Sequence, residues 1–332
     1  MIPLAPSREL NEGERTTMIF DDKEKNMAYR KQKYLWVATV VLVFGICPIQ
    51  GDGEFQKGRS QKLAEAIVIG HGNTKLSSIP QEWIKKAKEK LHIAYGHSSH
   101  GSQLATGMIG LSQWKGPLYA WNSTGLRGAL DLRDYSENFG NLNIANDLGN
   151  PNRTAWEKAT RIYLAQNPDV NVMMWSWCWQ VDGSEAEIRL YLELMNKLEK
   201  DYPGIMFIYM TGHVNGDPPR GNPWERNVSL RNQQIRDYCL SNKKILYDFA
   251  DIESYDPDGN YFGDKRVNDN CDYDSNGDGI RDRNWAVDWQ RAHPDDWYDC
   301  PAAHTQPLNA NLKAYAAWWL WARVAGWDGV PN

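Results

Sequence analysis

Two stretches far apart in the chain carry the residue types of acyl-transfer chemistry. Residues 91–107 read LHIAYGHSSHGSQLATG. The apolar run Leu91–Tyr95 has the pattern of a strand. It enters Gly96, the turn His97-Ser98-Ser99-His100, Gly101 and then a helix start. A strand that feeds a helix through a hydroxyl-rich turn sets that hydroxyl at the carboxyl edge of a parallel sheet. There the helix N-terminus favours a developing oxyanion. The plainer reading is a Gly/Ser-rich turn whose histidines are ordinary loop residues. The second stretch is Ala303-His304-Thr305-Gln306-Pro307-Leu308-Asn309, just before the final helix. A serine hydroxyl is a weak nucleophile and needs a base about 3 Å away. A histidine entering the last helix can swing over the sheet edge to supply it. Alone, His304 reads equally well as a capping or surface histidine.

The elements that must position these groups follow from periodicity. Pro80 opens a helix over Gln81–Lys90, and the strand 91–95 and a helix over 102–113 come next. Residues 114–140 read as a long excursion, and Asn141–Ala145 as a short second strand. Further helices are expected over Thr154–Gln166, after a Ser184 cap over Glu185–Lys200, over 229–241 and over Asn309–Ala325. Buried strands are expected over Val170–Trp177, Ile205–Met210 and Lys244–Phe249. The alternation implies an α/β fold: a three-layer sandwich with a five-stranded parallel sheet, ligand-binding at the strands' carboxyl ends. The domain spans 80–332, with a long irregular insertion at 251–303 and a polar leader at 52–79.

Composition bounds the rest. The chain has 332 residues, a net charge of −5, 42% hydrophobic and 24% charged residues. These values suit a globular protein and argue against nucleic acid as a partner. Sixteen tryptophans are many for this length; many are expected in the core, and an excess can also line a groove for sugars or other flat apolar faces. Arg30-Lys31-Gln32-Lys33 before the apolar run Tyr34–Ile46 resembles an export signal, too short to span a bilayer comfortably. Residues 1–51 therefore read as an extension plus signal peptide, cleaved just after Pro48–Gly51, with Met27 as an alternative start. Lipidation at Cys47 and a retained anchor helix are the alternatives. The expected location is secreted, extracellular or periplasmic, with no stable membrane span after cleavage. In an oxidising compartment Cys271 and Cys300 are the preferred disulfide pair. Cys178 and Cys239 are expected to be free and buried.

Together the two stretches resemble the SGNH/GDSL hydrolase superfamily. Tyr95–Gly101 resembles a variant first block in which Gly-Asp-Ser becomes Gly-His-x-Ser, and His304 with Pro307-Leu308-Asn309 resembles the last block. The resemblance implies Ser99 as nucleophile, Ser98 next in line, and His304 as base. The family's aspartate three residues before the histidine is here Pro301, so Asp299 or Asp251 would orient the imidazole. The Gly-x-Asn-Asp block is replaced by Trp175-Ser176-Trp177-Cys178-Trp179-Gln180, with Gln180 as the oxyanion amide. Gly149 or Gly140 would be the second-block glycine. His97, His100 and His213 would line the same edge.

Asp274-Ser275-Asn276-Gly277-Asp278-Gly279-Ile280-Arg281-Asp282 fits D-x-N-x-D-G-x-x-D. Side-chain oxygens of Asp274, Asn276, Asp278 and Asp282, with the Ile280 carbonyl, suit Ca²⁺. The run resembles dockerin and thrombospondin type 3 loops, but Trp285 replaces the twelfth-position acid, so Asp272 would complete the shell. Such a loop is expected to rigidify the segment that delivers His304. The alternative is an acidic surface turn. No organic cofactor is expected.

The expected function is ester hydrolysis through an acyl-enzyme, on an ester or acylated carbohydrate. Two alternatives use the same residues. One is an inactive glycan-binding relative with Trp114, Trp121, Trp179 and Trp224. The other is a hydrolase with a transition metal on His97, His100, His213 and His304.

Overall fold

The computed structural model describes residues 63–216 and 226–331, with the side chain of Arg226 excepted. The proposed signal and extension 1–51 with Cys47, residues 52–62 of the polar leader, and Trp224 lie outside those residues. No described helix is long and apolar enough to cross a membrane.

Seven parallel strands form one sheet among the described residues: β1 (Ile67–Ile69), β2 (His92–His97), β3 (Trp121–Asn122), β4 (Leu130–Ser136), β5 (Val172–Trp175), β6 (Met206–Met210) and β7 (Ile245–Tyr247). The order is β1-β7-β6-β5-β2-β4-β3. Without the short edge strands β1 and β3, the five remaining strands run second-first-third-fourth-fifth. That order reverses direction between β2 and β5, where ligands settle in open α/β sheets.

The helices are α1 (Gln81–Lys90), α2 (Ser99–Lys115), α3 (Ala155–Gln166), α4 (Glu185–Asp201), α5 (Arg226–Ser241), the short α6 (Phe249–Ile252), α7 (Trp285–Ala292) and α8 (Pro307–Val324). A small antiparallel hairpin pairs β8 (Asp272–Tyr273) with β9 (Arg283–Asn284).

Side chains alternate across each strand and divide the core in two. Ile93, Tyr95, Val172, Met174, Ile208, Met210, Ile245 and Tyr247 face a core shared with α1, α2 and α8. Ala94, Met173, Trp175, Phe207, Tyr209 and Leu246 face the core of α3, α4 and α5. Strands buried on both faces read as unbroken apolar runs, the pattern of the central strands here. Trp156, Trp175, Trp177, Trp285, Trp318 and Trp321 are among the largest fully buried side chains, so much of the tryptophan excess is core.

The structure departs from the expected elements in three regions: the stretch 114–145, which also holds edge strand β3, the leader, and the 251–303 insertion. The second strand is not 141–145 but β4, inside the expected excursion; residues 139–141 form a 3₁₀ turn. Leu130 and Leu132 are fully buried, while Asp131 and Arg133 on the strand pair with each other and with His92 and Asp169. Those charges hide an ordinary alternating strand. β1 lies in the supposed leader, and the 251–303 insertion holds α7 and the hairpin.

Helices α2 and α8 lie against each other closely. A Cβ on Gly107 would stand 2.2 Å from the Ala310 carbonyl oxygen. Only a hydrogen at that position lets the backbones approach.

Candidate functional site

Ser98 is the N-cap of α2 and Ser99 its first residue, directly after β2. The first amide N–H groups of a 17-residue helix have no partner within it and present a partial positive charge beside Ser99 Oγ. His304 comes from the other end of the chain, three residues before Pro307 opens α8. Its Nε2 stands 3.0 Å from Ser99 Oγ. Ser99 is half-buried and His304 exposed, so the pair faces solvent. The His304 backbone sits at φ 65°, in the left-handed region, a conformation uncommon for residues with a side chain.

Beneath this pair lies a second set of groups. Cys178, just beyond β5 at the reversal of strand order, has its Sγ 3.3 Å from Ser99 Oγ and 3.2 Å from His100 Nδ1. His100 Nε2 stands 3.1 Å from Asp269 Oδ2. The His100 ring stacks on His304 with centroids 4.3 Å apart and on His213 at 4.6 Å. Trp179, 56% exposed, sets its ring edge-on to all three histidines at the rim.

The charges follow from these contacts. Burial alone would lower His100, but its bonds to Asp269 and Cys178 outweigh that and raise it to about 9. Burial would raise the Cys178 thiol, yet the bonds from His100 and Ser99 bring it down to about 7. Burial and then the charge of His100 hold His213 down at about 3. The same two causes lower His304. His304 is thus the neutral imidazole, able to accept a proton, while His100 carries charge behind it.

Other parts of the turn are latches. Ser98 Oγ donates to Asp147 Oδ2 at 2.6 Å, and Asp147 Oδ1 accepts from Gly149 N–H. Ser98 is therefore turned away from His304. His97 is engaged at both nitrogens, with Asp134 at 2.6 Å and the Ser98 carbonyl at 3.0 Å. A Cβ on Gly101 would meet Ser176 Oγ at 2.2 Å, so the first turn of α2 packs directly on the segment after β5.

A buried polar network carries the two histidine loops. Lys313 and Glu253 are both fully buried, with Nζ 2.6 Å from Oε1. Lys313 also donates to Gln103 Oε1, and the Gln103 amide donates to the Ala303 carbonyl, next to His304. Glu253 Oε2 accepts from Val214 N–H, next to His213.

Several expectations are corrected. Asp251 belongs to another corner: its Oδ2 accepts from His71 N–H and lies 2.7 Å from His71 Nδ1. Asp299 is exposed and makes no hydrogen bond to His304 among the described residues. The acid nearest the site is Asp269, whose carboxylate, with one nitrogen each of His100 and His304, falls within a 4.8 Å set. Gly149 and Gln180 do touch, since a Cβ on Gly149 would stand 2.3 Å from Gln180 Cβ. However, Gly149 N–H is taken by Asp147. Gly140 packs on Tyr163, away from the turn. His213 and His100 are buried behind the Ser99–His304 pair rather than at the open face.

The four-histidine metal set is not assembled, because His97 faces Asp134. His100, His304 and Asp269 are close, but the two rings stack within 13° of parallel. Parallel rings aim their in-plane lone pairs side by side rather than at one ion. Both nitrogens of His100 are also engaged.

Cys271 and Cys300 are free thiols with different partners, Thr305 Oγ1 at 3.4 Å and the Asn311 amide at 3.5 Å. Cys178 and Cys239 are free and buried as expected.

The 274–282 loop forms nested turns. Asp274 accepts from Gly277 and Gly279 N–H, Asn276 from Asp278 N–H, and Asp278 from Ile280 N–H. This oxygen-only donor set suits calcium in kind. Its fit is incomplete: Asp282 turns to Ser275, and Asp272 is saturated by the Asn268, Asn270 and Asn284 amides. The hairpin braces the site on the Asp269 side. Arg281 donates to the Arg266 and Asn215 carbonyls, and Arg266 to that of Gly279.

Asp147, Cys178 and Asp269 are the site groups that the sequence reading did not assign. Cys178 was legible by place, since it follows the third core strand, but Asp147 and Asp269 sit in loops without a motif. No protein-family model matches the chain, and no curated protein matches it.

Proposed function

We propose that the chain is a hydrolase of SGNH type that cleaves esters with Ser99 as nucleophile and His304 as base. The observation that carries this reading is the 3.0 Å approach of His304 Nε2 to Ser99 Oγ across 205 positions of sequence. Burial, and then the charge on His100, support it by lowering His304 and so favouring its neutral, proton-accepting form. Ser99 Oγ attacks the acyl carbon and its proton passes to His304 Nε2. The amide N–H groups at the start of α2 receive the oxyanion. His304 then protonates the departing alcohol, and water, deprotonated by His304, frees the acid.

Trp179 supports a carbohydrate ester as the substrate class. Its exposed indole borders His304 and offers a flat apolar face to a sugar. The inactive glycan-binding alternative has less support. Trp114 lies near the far end of α2, roughly 22 Å along the helix from Ser99, against Tyr298. Trp121 is half-buried on the edge strand. Export of the chain belongs to the same reading and predicts a mature N-terminus just after residue 51.

The test is hydrolysis of a short-chain nitrophenyl ester and of an acetylated oligosaccharide by wild type, Ser99→Ala and His304→Ala. Each variant is expected to lose about 10²–10⁴-fold in kcat/KM. Equal rates for all three reject the assignment.

A further inference from the structure

The Ser99–His304 pair leaves a complete set of reactive groups unused directly below it. Cys178 Sγ, His100 Nδ1, His100 Nε2 and Asp269 Oδ2 form a continuous line, with links of 3.2 and 3.1 Å. This is the order of a nucleophile, its acid–base partner and the acid that orients that partner. Both ends of the imidazole are engaged, so the ring is fixed. His304 lacks such an acid among its hydrogen bonds. We propose that Cys178 is a second catalytic nucleophile, the thiolate of a Cys178–His100–Asp269 centre that acts on activated acyl groups such as thioesters and aryl esters.

The surroundings support this assignment. Cys178 keeps 6% of its surface, and its Sγ lies 3.3 Å from Oγ of the half-buried Ser99, directly behind the residue that faces solvent. The other titratable or charged groups whose fields reach the pair are His213, His304 and Glu253. The imidazolium of His100 bonded to Asp269 is the type of neighbour that lowers a thiol, and Cys178 is brought down to about 7. By contrast, burial raises Cys239, Cys271 and Cys300 above the ordinary thiol value.

The reaction balances without an added reagent. The thiolate forms a C–S bond to the acyl carbon, and the bond to the leaving alkoxide or thiolate breaks. That group takes the proton of His100 Nδ1. Water then adds to the thioester, giving its proton to His100 Nδ1, and the C–S bond breaks to restore the thiolate. The sum is acyl donor plus water to acid plus alcohol or thiol.

The test has two arms on the full chain. In the first, folded protein is treated briefly with iodoacetamide across pH 5–10 and the alkylated cysteines are mapped. Cys178 is expected to react at least tenfold faster at pH 7 than Cys239, Cys271 or Cys300. His100→Asn is expected to slow it about tenfold, as the thiolate fraction falls from about one half to a few per cent. In the second, Ser99→Ala is given a 4-nitrophenyl ester and a phenyl thioester. Residual turnover is expected that Cys178→Ala abolishes, with an acyl adduct on Cys178 after acid quench. No preferential labelling of Cys178, or the same rate in His100→Asn, overturns the centre. Rapid labelling with no acyl adduct overturns its catalytic role and leaves the Ser99–His304 reading standing. Full activity in Ser99→Ala that is lost in Cys178→Ala supports this centre and ends the serine reading.

Discussion

Lys313→Met is the sharpest probe of how the site is held. The substitution keeps most of the side-chain volume and removes one charge from a pair in which both partners have no exposed surface. Glu253 is left with its carboxylate buried, its remaining partner being Val214 N–H. Breaking a buried ion pair by removing one member costs about 3–5 kcal/mol. For a domain of this size each kcal/mol moves the melting temperature roughly 2–4 °C, so a drop of roughly 6–20 °C is expected. The sign with pH follows from Glu253. Burial raises its pKa, and Lys313 is the main group opposing that rise. Without Lys313 the folded carboxyl is held further above its unfolded value. An acid raised in the fold contributes stability below its unfolded pKa and loses it as pH climbs through the folded one. The deficit of Lys313→Met should therefore shrink from pH 8 to pH 5. Calorimetry at both pH values, with nitrophenyl ester turnover at a temperature where the variant is folded, reads the effect. Turnover is expected to fall as well, because the same lysine reaches Ala303 through Gln103. A melting drop under 2 °C, or a deficit larger at pH 5, refutes the reasoning.

Three further outcomes follow. Ser98→Ala leaves Asp147 buried with one fewer donor and is expected to cost about 1–3 kcal/mol while keeping turnover within tenfold of wild type; a loss matching that of Ser99→Ala would move the nucleophile to Ser98. Between about pH 7 and 9 the folded chain holds a proton on His100 that the unfolded chain holds on Cys178, so this pair adds no slope of stability with pH. Cys178→Ala leaves Asp269 and Glu253 as the groups that raise His100, and its stability relative to wild type is expected to fall as pH rises from 6.5; a flat difference would show that those two do not hold the charge on His100 without the thiolate. Calcium at millimolar level is expected to raise the melting temperature through the 274–282 loop, and no shift between calcium and chelator ends the calcium reading.

The legibility of the chain tracked how far a signal depends on local pattern. α1 is read within its observed bounds, and the Ser184 capping box starts α4 where Ser-x-x-Glu predicts. The four central strands are legible because both faces are buried and the residues are uniformly apolar. β4 was missed since Asp131, Arg133 and Asp134 answer charges on neighbouring elements, which only the assembled sheet supplies. The meeting of residues 99 and 304 was legible from residue type and from the expected sheet edge. Asp269 was not: it pairs with His100 rather than His304, and it reaches that ring through a loop fixed by Arg266, Arg281 and the hairpin, with no motif to mark it. The expected disulfide failed for a related reason: Cys271 and Cys300 bracket one insertion, but packing turns each thiol to a different neighbour.

Under the hydrolase reading, Gly107 bears on the proposed reaction although it touches none of the proposed reacting atoms. Both α2 and α8 begin beside the Ser99–His304 contact, and their separation is fixed eight residues downstream of Ser99, where a hydrogen faces the Ala310 carbonyl. The gap between hydroxyl and imidazole is therefore inherited from the seam between two rods rather than set by the loops alone. A single methyl group wedged into that seam would act as a lever on the dyad, detuning proton transfer from about 12 Å along the rod without altering anything a substrate meets.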